Sequence, residues 1–207
     1  MQLYTFDPAP NPQRLKLFLQ VKSIELPTQQ VSLNDGQQMS ADYIAVNPAR
    51  TVPALVLDDG TVLTETIAIV AYLDALFPNQ PLLGDDPASK ALILNWCHRC
   101  FNEGFHAVAE ALRNRGDFFK DRALPGSGDF AQIPALVERG IARLHLFWGV
   151  LDDHLGGRHY MVGDVLSQAD IDCFVLCNFA GWIKQAIPDD TPALKAWHQR
   201  IAEQLGQ

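Results

Sequence analysis

The chain has 207 residues, of which 48% are hydrophobic and 19% are charged. This composition is typical of a folded globular protein and not of a disordered tail, a collagen-like fibre or a coiled coil. Its 24 acidic and 16 basic residues give a formal net charge of -8, so phosphate backbones and anionic membrane surfaces are repelled, and neither nucleic acid nor a membrane is an expected partner.

The lack of a targeting signal and the small number of cysteines indicate the cellular compartment that we expect for this protein. The first residues show no basic segment followed by an apolar run, and no stretch of about 18 apolar residues occurs, so we expect no signal peptide and no membrane span. The 4 cysteines are few for a secreted disulfide scaffold of this length. We therefore expect reduced thiols and a cytoplasmic protein.

The first eighty residues alternate between strand and helix patterns. A strand pattern at Leu3–Phe6 leads into a stiff turn with three prolines, after which Leu15, Phe18 and Leu19 recur at helical spacing. Ser40 is a helix-capping residue, and the run 58–60, Asp-Asp-Gly, is a strong hairpin signal. The patterns predict the order β-α-β-α-β-β-α, with strands near 3–6, 29–33, 53–57 and 61–63 and helices near 12–22, 40–46 and 64–77.

The remainder of the chain has only helical patterns. Turn-forming residues at 79–87 predict a linker. Beyond it, apolar residues at helical spacing predict helices near 87–114, 132–155, 167–181 and 192–203, with a loop over 117–129. The sequence therefore predicts an α/β domain at 1–79 followed by an all-helical domain at 87–207.

Two segments of the first domain suggest a binding site for a peptide. Pro53 opens a predicted strand, and a cis Val52–Pro53 bond would turn the backbone N–H and C=O of Val52 outward to pair with an extended ligand, although a trans proline also fits there. Glu65 and Thr66 then open a helix, whose free N–H groups and partial positive charge suit a carboxylate. Glu65 could hold an ammonium group, or it could simply favour the dipole of its own helix.

Three motifs resemble those of the cytosolic glutathione transferase superfamily. They are the Val-Pro-Ala-Leu run at 52–55, the Leu-Thr-Glu-Thr-Ile-Ala-Ile run at 63–69 leading into Val-Ala-Tyr-Leu, and the Ser-Gln-Ala-Asp-Ile run at 167–171. The third is similar to the family's buried capping box, in which Ser167 and Asp170 satisfy backbone N–H groups reciprocally. The resemblance covers nearly the whole chain. It implies a thioredoxin-like N-terminal domain with a cis proline, an all-helical C-terminal domain, glutathione as cosubstrate, no metal, a hydrophobic second substrate and a homodimer.

The resemblance also implies roles for residues of the glutathione site. Val52 and Pro53 would meet the cysteinyl backbone of glutathione, and Glu65 and Thr66 its γ-glutamyl end. Gln38 would bind the glycine carboxylate. Thr51 stands where many relatives carry lysine, so one cation is missing from the expected pocket.

The group that would stabilise the glutathione thiolate is less clearly marked. A free thiol has a pKa of about 8.5, and lowering it by two units takes about 2.7 kcal/mol. No Ser, Cys or Tyr lies between Asp7 and Gln13. The Ala-Pro-Asn run at 9–11 resembles the Thr-Pro-Asn of the nu class, which makes Asn11 the first candidate donor, through its side-chain amide or its backbone N–H. Tyr4 and Thr5 are the alternatives, while Asn11 could instead cap a helix and Tyr4 could pack in the core.

Two groups of residues in the second domain have competing interpretations. Cys97 and Cys100 form a Cys-x-x-Cys pattern, but they lie inside a predicted long helix and not at a helix N-terminus, where the helix dipole activates redox thiols. Buried core cysteines are therefore favoured over redox or zinc chemistry. Phe105, His106 and Phe118 are candidates for the second-substrate pocket. For each of these three residues the competing interpretation is helix packing.

The sequence thus predicts a glutathione transferase that activates bound glutathione for attack on an electrophile or a disulfide. A non-catalytic glutathione-binding module and a glutathione-dependent disulfide reductase are the alternatives.

Overall fold

The computed structural model describes all 207 residues and divides into two units. The first comprises Met1–Pro81 together with Leu124–Gly128, and the second comprises Leu82–Ala123 and Asp129–Gln207. The first unit is an α/β layer and the second is helical, so the predicted fold class is confirmed.

The first unit has the predicted order of elements. Its strands are β1 (Gln2–Thr5), β2 (Thr28–Gln30), β3 (Ala54–Val56) and β4 (Val62–Leu63), and its helices are α1 (Pro10–Val21), α2 (Ala41–Val46) and α3 (Thr66–Leu76). The sheet order is β2-β1-β3-β4, with β1 parallel to β2 and antiparallel to β3. Strands β3 and β4 form the antiparallel hairpin that the 58–60 turn predicted.

Predicted boundaries in the first unit differ from the observed ones by up to three residues, and two of these differences have an evident cause. Helix α1 begins at Pro10, two residues before the predicted start, because proline lacks the N–H that an N-terminal helical residue would leave unpaired and its fixed φ suits a helix start. Strand β2 ends at Gln30 and not at Leu33. The Val31 N–H still donates to the Thr5 carbonyl at 2.7 Å, after which the chain turns away from the sheet.

The second unit is built from five α-helices. They are α4 (Pro87–Arg99), α5 (His106–Arg113), α6 (Ala135–Leu155), α7 (Gln168–Ala180) and α8 (Pro192–Leu205). The predicted helix 87–114 is interrupted by a π-helical stretch at Cys100–Phe105, a local widening often found at functional sites. No helix of the structure combines the length and the hydropathy that crossing a membrane would take.

The predicted capping box at the start of α7 is present. Asp170 accepts from the Ser167 N–H at 3.0 Å and from the Ser167 hydroxyl at 2.8 Å. It also accepts from the Met161 N–H at 2.7 Å and from the Trp197 indole N–H at 3.2 Å. One buried carboxylate therefore joins the start of α7 to α8 and to the loop after α6.

Candidate functional site

The segment before β3 leaves one residue's backbone unpaired. The Val52–Pro53 peptide bond is cis, and neither the N–H nor the C=O of Val52 hydrogen-bonds to the rest of the chain. The preceding carbonyl, that of Thr51, accepts from the Tyr43 hydroxyl and from the Asn47 Nδ2 at 2.8 Å. The loop is thus anchored one residue before Val52, which leaves the Val52 backbone available to a ligand strand.

Tyr43 and Asn47 are site-shaping residues that sequence reasoning missed. Both are buried, and Asn47 also accepts from the Ala49 N–H at 3.0 Å. The signal for Asn47 was its position before Pro48, since Asn-Pro pairs favour turns in which the Asn side chain bonds the backbone two residues on.

Helix α3 begins with unpaired backbone donors. Glu65 is its N-cap residue, is exposed, and makes no side-chain capping bond. The first backbone bond of the helix runs from the Ile69 N–H to the Glu65 carbonyl, at 3.0 Å. The N–H groups of residues 66–68 are therefore left without acceptors. Thr66 is buried with its hydroxyl unbonded, so this helix start is a ready site for an anion.

Gln38 lies in a short 3-10 turn at Gln37–Met39 and is 8% exposed. Its Oε1 is buried and has no hydrogen-bond partner. Thr51, by contrast, has its hydroxyl oxygen bonded by the Asn47 Nδ2 at 3.2 Å. A buried amide without a partner costs about 1–3 kcal/mol, so Gln38 is suited to meet a ligand that completes its hydrogen bonds.

Asn11 is not the N-cap of α1, which corrects the capping interpretation. Ala9 holds that position, and Asn11 is the second helical residue, between Pro10 and Pro12. Its Oδ1 accepts from the buried Arg14 Nη1 at 3.0 Å. Because a guanidinium only donates, this bond fixes the orientation of the amide and leaves the Asn11 Nδ2 as the unbonded donor.

The two alternatives to Asn11 lie in β1. Tyr4 packs against a buried cluster that contains Tyr43 and Val52, with 6.0 Å between the Tyr4 and Tyr43 ring centroids. Thr5 is buried, and its carbonyl accepts from the Val31 N–H. Both residues therefore take part in the packing of the sheet, and Tyr4 packs against the cluster that contains Val52.

The second unit contains a row of aromatic rings. From the exposed Trp182 it passes through Phe179, Phe105 and Phe101 to the exposed His106, with centroid separations of 5.4, 6.1, 6.4 and 4.5 Å. Phe105 is buried within the row, whereas His106 is exposed at its end. Partial desolvation of the imidazole, with the nearby Arg143 charge, lowers the pKa of His106.

Phe118 lies apart from this row. It belongs to a short 3-10 segment at Asp117–Phe119, is 61% exposed, and packs edge-on against Phe119. Arg113 lies under the same segment and donates to the Ala123 and Arg122 carbonyls at 3.2 and 2.6 Å. Burial lowers the pKa of Arg113 to about 10.

All four cysteines are buried, and none of them forms a disulfide. Burial raises the pKa of the Cys173 thiol, as do its contacts with Cys100 and Cys177. Cys100 therefore faces helix α7 and not a solvent-accessible redox site, as the core interpretation predicted. No three His, Cys, Asp or Glu side chains lie close enough together to hold a metal ion.

The chain is similar to known proteins in both sequence and structure. The family model "Glutathione S-transferase, N-terminal domain" matches residues 9–76, and "Glutathione S-transferase, C-terminal domain" matches residues 127–204. Glutathione S-transferase 2 of Saccharomyces cerevisiae is 31% identical over 98% of this chain and 86% of its own length. Disulfide-bond oxidoreductase YfcG of Escherichia coli is 28% identical over 95% of this chain and 87% of its own length. A solved glutathione S-transferase domain-containing protein from Marinobacter aquaeolei superposes with a TM-score of 0.86, at 28% identity, over 98% of this chain and 97% of its own.

Proposed function

Because the chain belongs to the glutathione S-transferase family, we propose that it binds glutathione in its first unit and stabilises the thiolate for attack on a second substrate. The observation that carries this proposal is the unpaired backbone of Val52, anchored by Tyr43 and Asn47 one residue upstream. An extended tripeptide supplies the N–H and C=O that this backbone lacks.

The start of α3 would hold the γ-glutamyl end of glutathione. Its three unpaired N–H groups and the Thr66 hydroxyl suit the α-carboxylate, and the exposed Glu65 suits the α-ammonium group. Glutathione is anionic, and the chain carries a net charge of -8. The attraction therefore has to be local, and the dipole of α3 is one source of it.

Asn11 is our candidate for the thiolate donor of a nu/theta-like glutathione site. Arg14 takes the amide oxygen, so the Nδ2 hydrogens remain for the sulfur. The Asn11 backbone N–H is also unbonded, and the prolines on either side make it the only N–H among the first three helical residues. Two donors at the positive end of a helix favour the thiolate over the thiol.

The chemical step needs no protein nucleophile. The thiolate sulfur attacks an electrophilic carbon, a C–S bond forms, and the leaving group departs with its electron pair. The row of aromatic rings in the second unit favours an apolar, aromatic second substrate, with Phe105 buried in the row and His106 and Trp182 at its exposed ends. The exposed Phe118 remains a candidate for a separate wall of that pocket.

The proposal also includes an oligomeric state, a homodimer, and a cellular compartment, the cytoplasm. Members of this family are generally dimeric, and α4 exposes two leucines, Leu92 at 53% and Leu94 at 36%, so we propose a homodimer that covers this helix. Four reduced, buried thiols suit the cytoplasm.

Thiolate absorbance tests the catalytic proposal. A pH titration of bound glutathione, read as an ultraviolet difference spectrum, should give a thiol pKa well below about 8.5. Asn11→Asp keeps an acceptor for Arg14 but replaces the donor with a negative charge, and should raise that pKa more than Asn11→Ala does. A bound thiol that titrates near its free value in the unmodified protein would instead favour a non-catalytic glutathione-binding module.

Reduction of disulfides is the second candidate function. The similarity to Disulfide-bond oxidoreductase YfcG, over 95% of this chain, favours it. The thiolate would attack one sulfur of a substrate disulfide, forming a mixed disulfide and releasing the other sulfur as a thiolate. Parallel assays with an aryl electrophile and a small disulfide distinguish the two reactions.

A further inference from the structure

The π-helical stretch at Cys100–Phe105 brings together two rings that an α-helix would keep apart. The N–H of His106, which follows the stretch, bonds to the Phe101 carbonyl five residues earlier. Residues five apart point to different sides of an α-helix, which has about 3.6 residues per turn, but they lie nearly above one another where the hydrogen bonds span five residues. The Phe101 and His106 rings are accordingly in contact, with 4.5 Å between their centroids.

This hydrogen-bond register leaves the Asn102 carbonyl without its α-helical donor. In an α-helix that donor would be the His106 N–H, which bonds to the Phe101 carbonyl instead. The Asn102 carbonyl accepts from the Arg143 Nη2 of helix α6, at 2.8 Å. Because a backbone carbonyl without a partner costs free energy, the Arg143 guanidinium stabilises the π-helical register over the α-helical one.

Glu110, on helix α5, fixes the direction of the Arg143 side chain. Its Oε2 accepts from the Arg143 Nη1 at 3.0 Å, so one guanidinium bonds both this carboxylate and the Asn102 carbonyl. Arg139 also donates to Glu110, through its Nε at 3.0 Å, and both of its hydrogen bonds go to this carboxylate. Of the two arginines, Arg143 alone joins the carboxylate to the π-helical stretch.

We propose that Arg143 is a positioning residue that sets the specificity for the second substrate, an inference that rests on the proposed function. By holding the π-helical register, it keeps Phe101 and the exposed His106 together as one surface at the end of the row of aromatic rings. An aromatic ring of the substrate gains offset or edge-to-face contacts with such a pair, whereas a saturated ring gains only apolar burial. Without the Arg143 bond, the His106 N–H returns to the Asn102 carbonyl and the imidazole turns away from Phe101.

Packing at Gly104 is a competing cause of the π-helical stretch. A Cβ at this position would overlap the Leu176 side chain of helix α7, so the stretch passes close to α7 whatever its carbonyls bond to. If this packing alone fixes the register, replacement of Arg143 leaves the Phe101 and His106 rings in contact. The two causes therefore predict different effects of an Arg143 substitution.

Two peptides that differ only in the aromaticity of one ring isolate the effect. They are S-benzylglutathione and S-cyclohexylmethylglutathione, and their dissociation constants are measured by calorimetry beside that of glutathione. The variants are Arg143→Met, which loses every donor, and Arg139→Met, which removes the same charge and a partner of Glu110 but no bond to Asn102. Arg143→Lys, which keeps the charge but not the planar fork, repeats the test if the methionine variant does not fold.

We expect the unmodified protein and Arg139→Met to bind S-benzylglutathione about three- to tenfold more tightly than its saturated analogue, the usual scale for an aromatic contact. Arg143→Met should bind these two peptides equally and should bind glutathione as the unmodified protein does. The role of Arg143 is overturned, and the proposed function stands, if Arg143→Met keeps the preference, if Arg139→Met loses it equally, or if the unmodified protein binds glutathione but has no preference. If the unmodified protein binds none of the three peptides, both proposals are overturned.

The substitution Phe101→Leu distinguishes positioning from a general loosening of the fold. In the unmodified protein it should remove the preference for the aromatic ring. Added to Arg143→Met, it should change neither dissociation constant further, because the two rings are already apart. Additive losses in the double variant would mean that Arg143 acts on binding by another route, and would overturn the proposal.

Discussion

Gly140 lies where helix α6 crosses α5, and the structure leaves no room for a side chain there. A Cβ at this position would lie 2.5 Å from the Ala107 carbonyl oxygen and 2.9 Å from the Ala111 nitrogen. Both are backbone atoms of α5, so no change of rotamer can relieve the clash. The substitution Gly140→Ala must therefore push α6 away from the helix that begins at His106.

Gly149, in the same helix, provides a matched control. A Cβ there would meet nothing within 4 Å. Replacing a helical glycine by alanine stabilises a protein by about 1 kcal/mol, a gain that both variants share. Overpacking against a rigid neighbour costs about 1–3 kcal/mol. We expect Gly149→Ala to exceed the unmodified protein in stability by about 1 kcal/mol, and Gly140→Ala to fall below Gly149→Ala by about 1–3 kcal/mol.

Thermal unfolding followed by circular dichroism, at one protein concentration, measures the difference. For a chain of this size about 1 kcal/mol shifts the melting temperature by about 2–4 °C, so the gap between the two variants should be about 2–12 °C. Equal melting temperatures would refute the argument, because they would mean that α5 and α6 do not approach as closely at Gly140 as the structure has them. The Gly140→Ala variant should also bind an aromatic second substrate more weakly, since α5 continues the helical stretch that carries Phe101 and Phe105 of the row of aromatic rings.

Two further predictions concern the cysteines and the buried carboxylate. Joint replacement of Cys97 and Cys100 by alanine should leave transferase turnover unchanged. It should lower the free energy of unfolding by about 1–3 kcal/mol, because buried volume is lost. Loss of turnover in a folded variant would point to thiol chemistry. Burial raises the pKa of Asp170 to about 6, above the value of about 3.9 for an unfolded chain. The folded state therefore binds the proton more tightly than the unfolded state does. As a consequence, ionisation of this carboxyl lowers the stability of the fold as pH rises from about 4 to 6. Relative to Asp170→Asn, the unmodified protein should therefore lose about 2 kcal/mol of stability over that range in urea titrations, and a constant difference would exclude a raised pKa.

Local signals in the sequence were sufficient for most of the fold. Helical periodicity, the hairpin turn at 58–60 and the capping residues Ser40 and Ser167 act over a few residues, so their consequences can be predicted without knowing the rest of the chain. The confirmed order of strands and helices and the capping box of α7 both follow from such signals. Errors occurred at element ends, as at Pro10 and Gln30, where the helix start and the sheet partner decide the boundary.

The sequence alone was enough to predict an α/β unit followed by helices, and it suggested where to look for a site, around Val52 and at the helix start near Thr66. Only the tertiary structure decided which polar groups lack partners, because hydrogen bonds between residues distant in sequence consume some donors and leave others unpaired. The segment before β3 is the clearest case. The Thr51 carbonyl is bonded by Tyr43 and Asn47 while the backbone of Val52 stays unpaired, and neither outcome could be predicted before these residues were brought together in the fold.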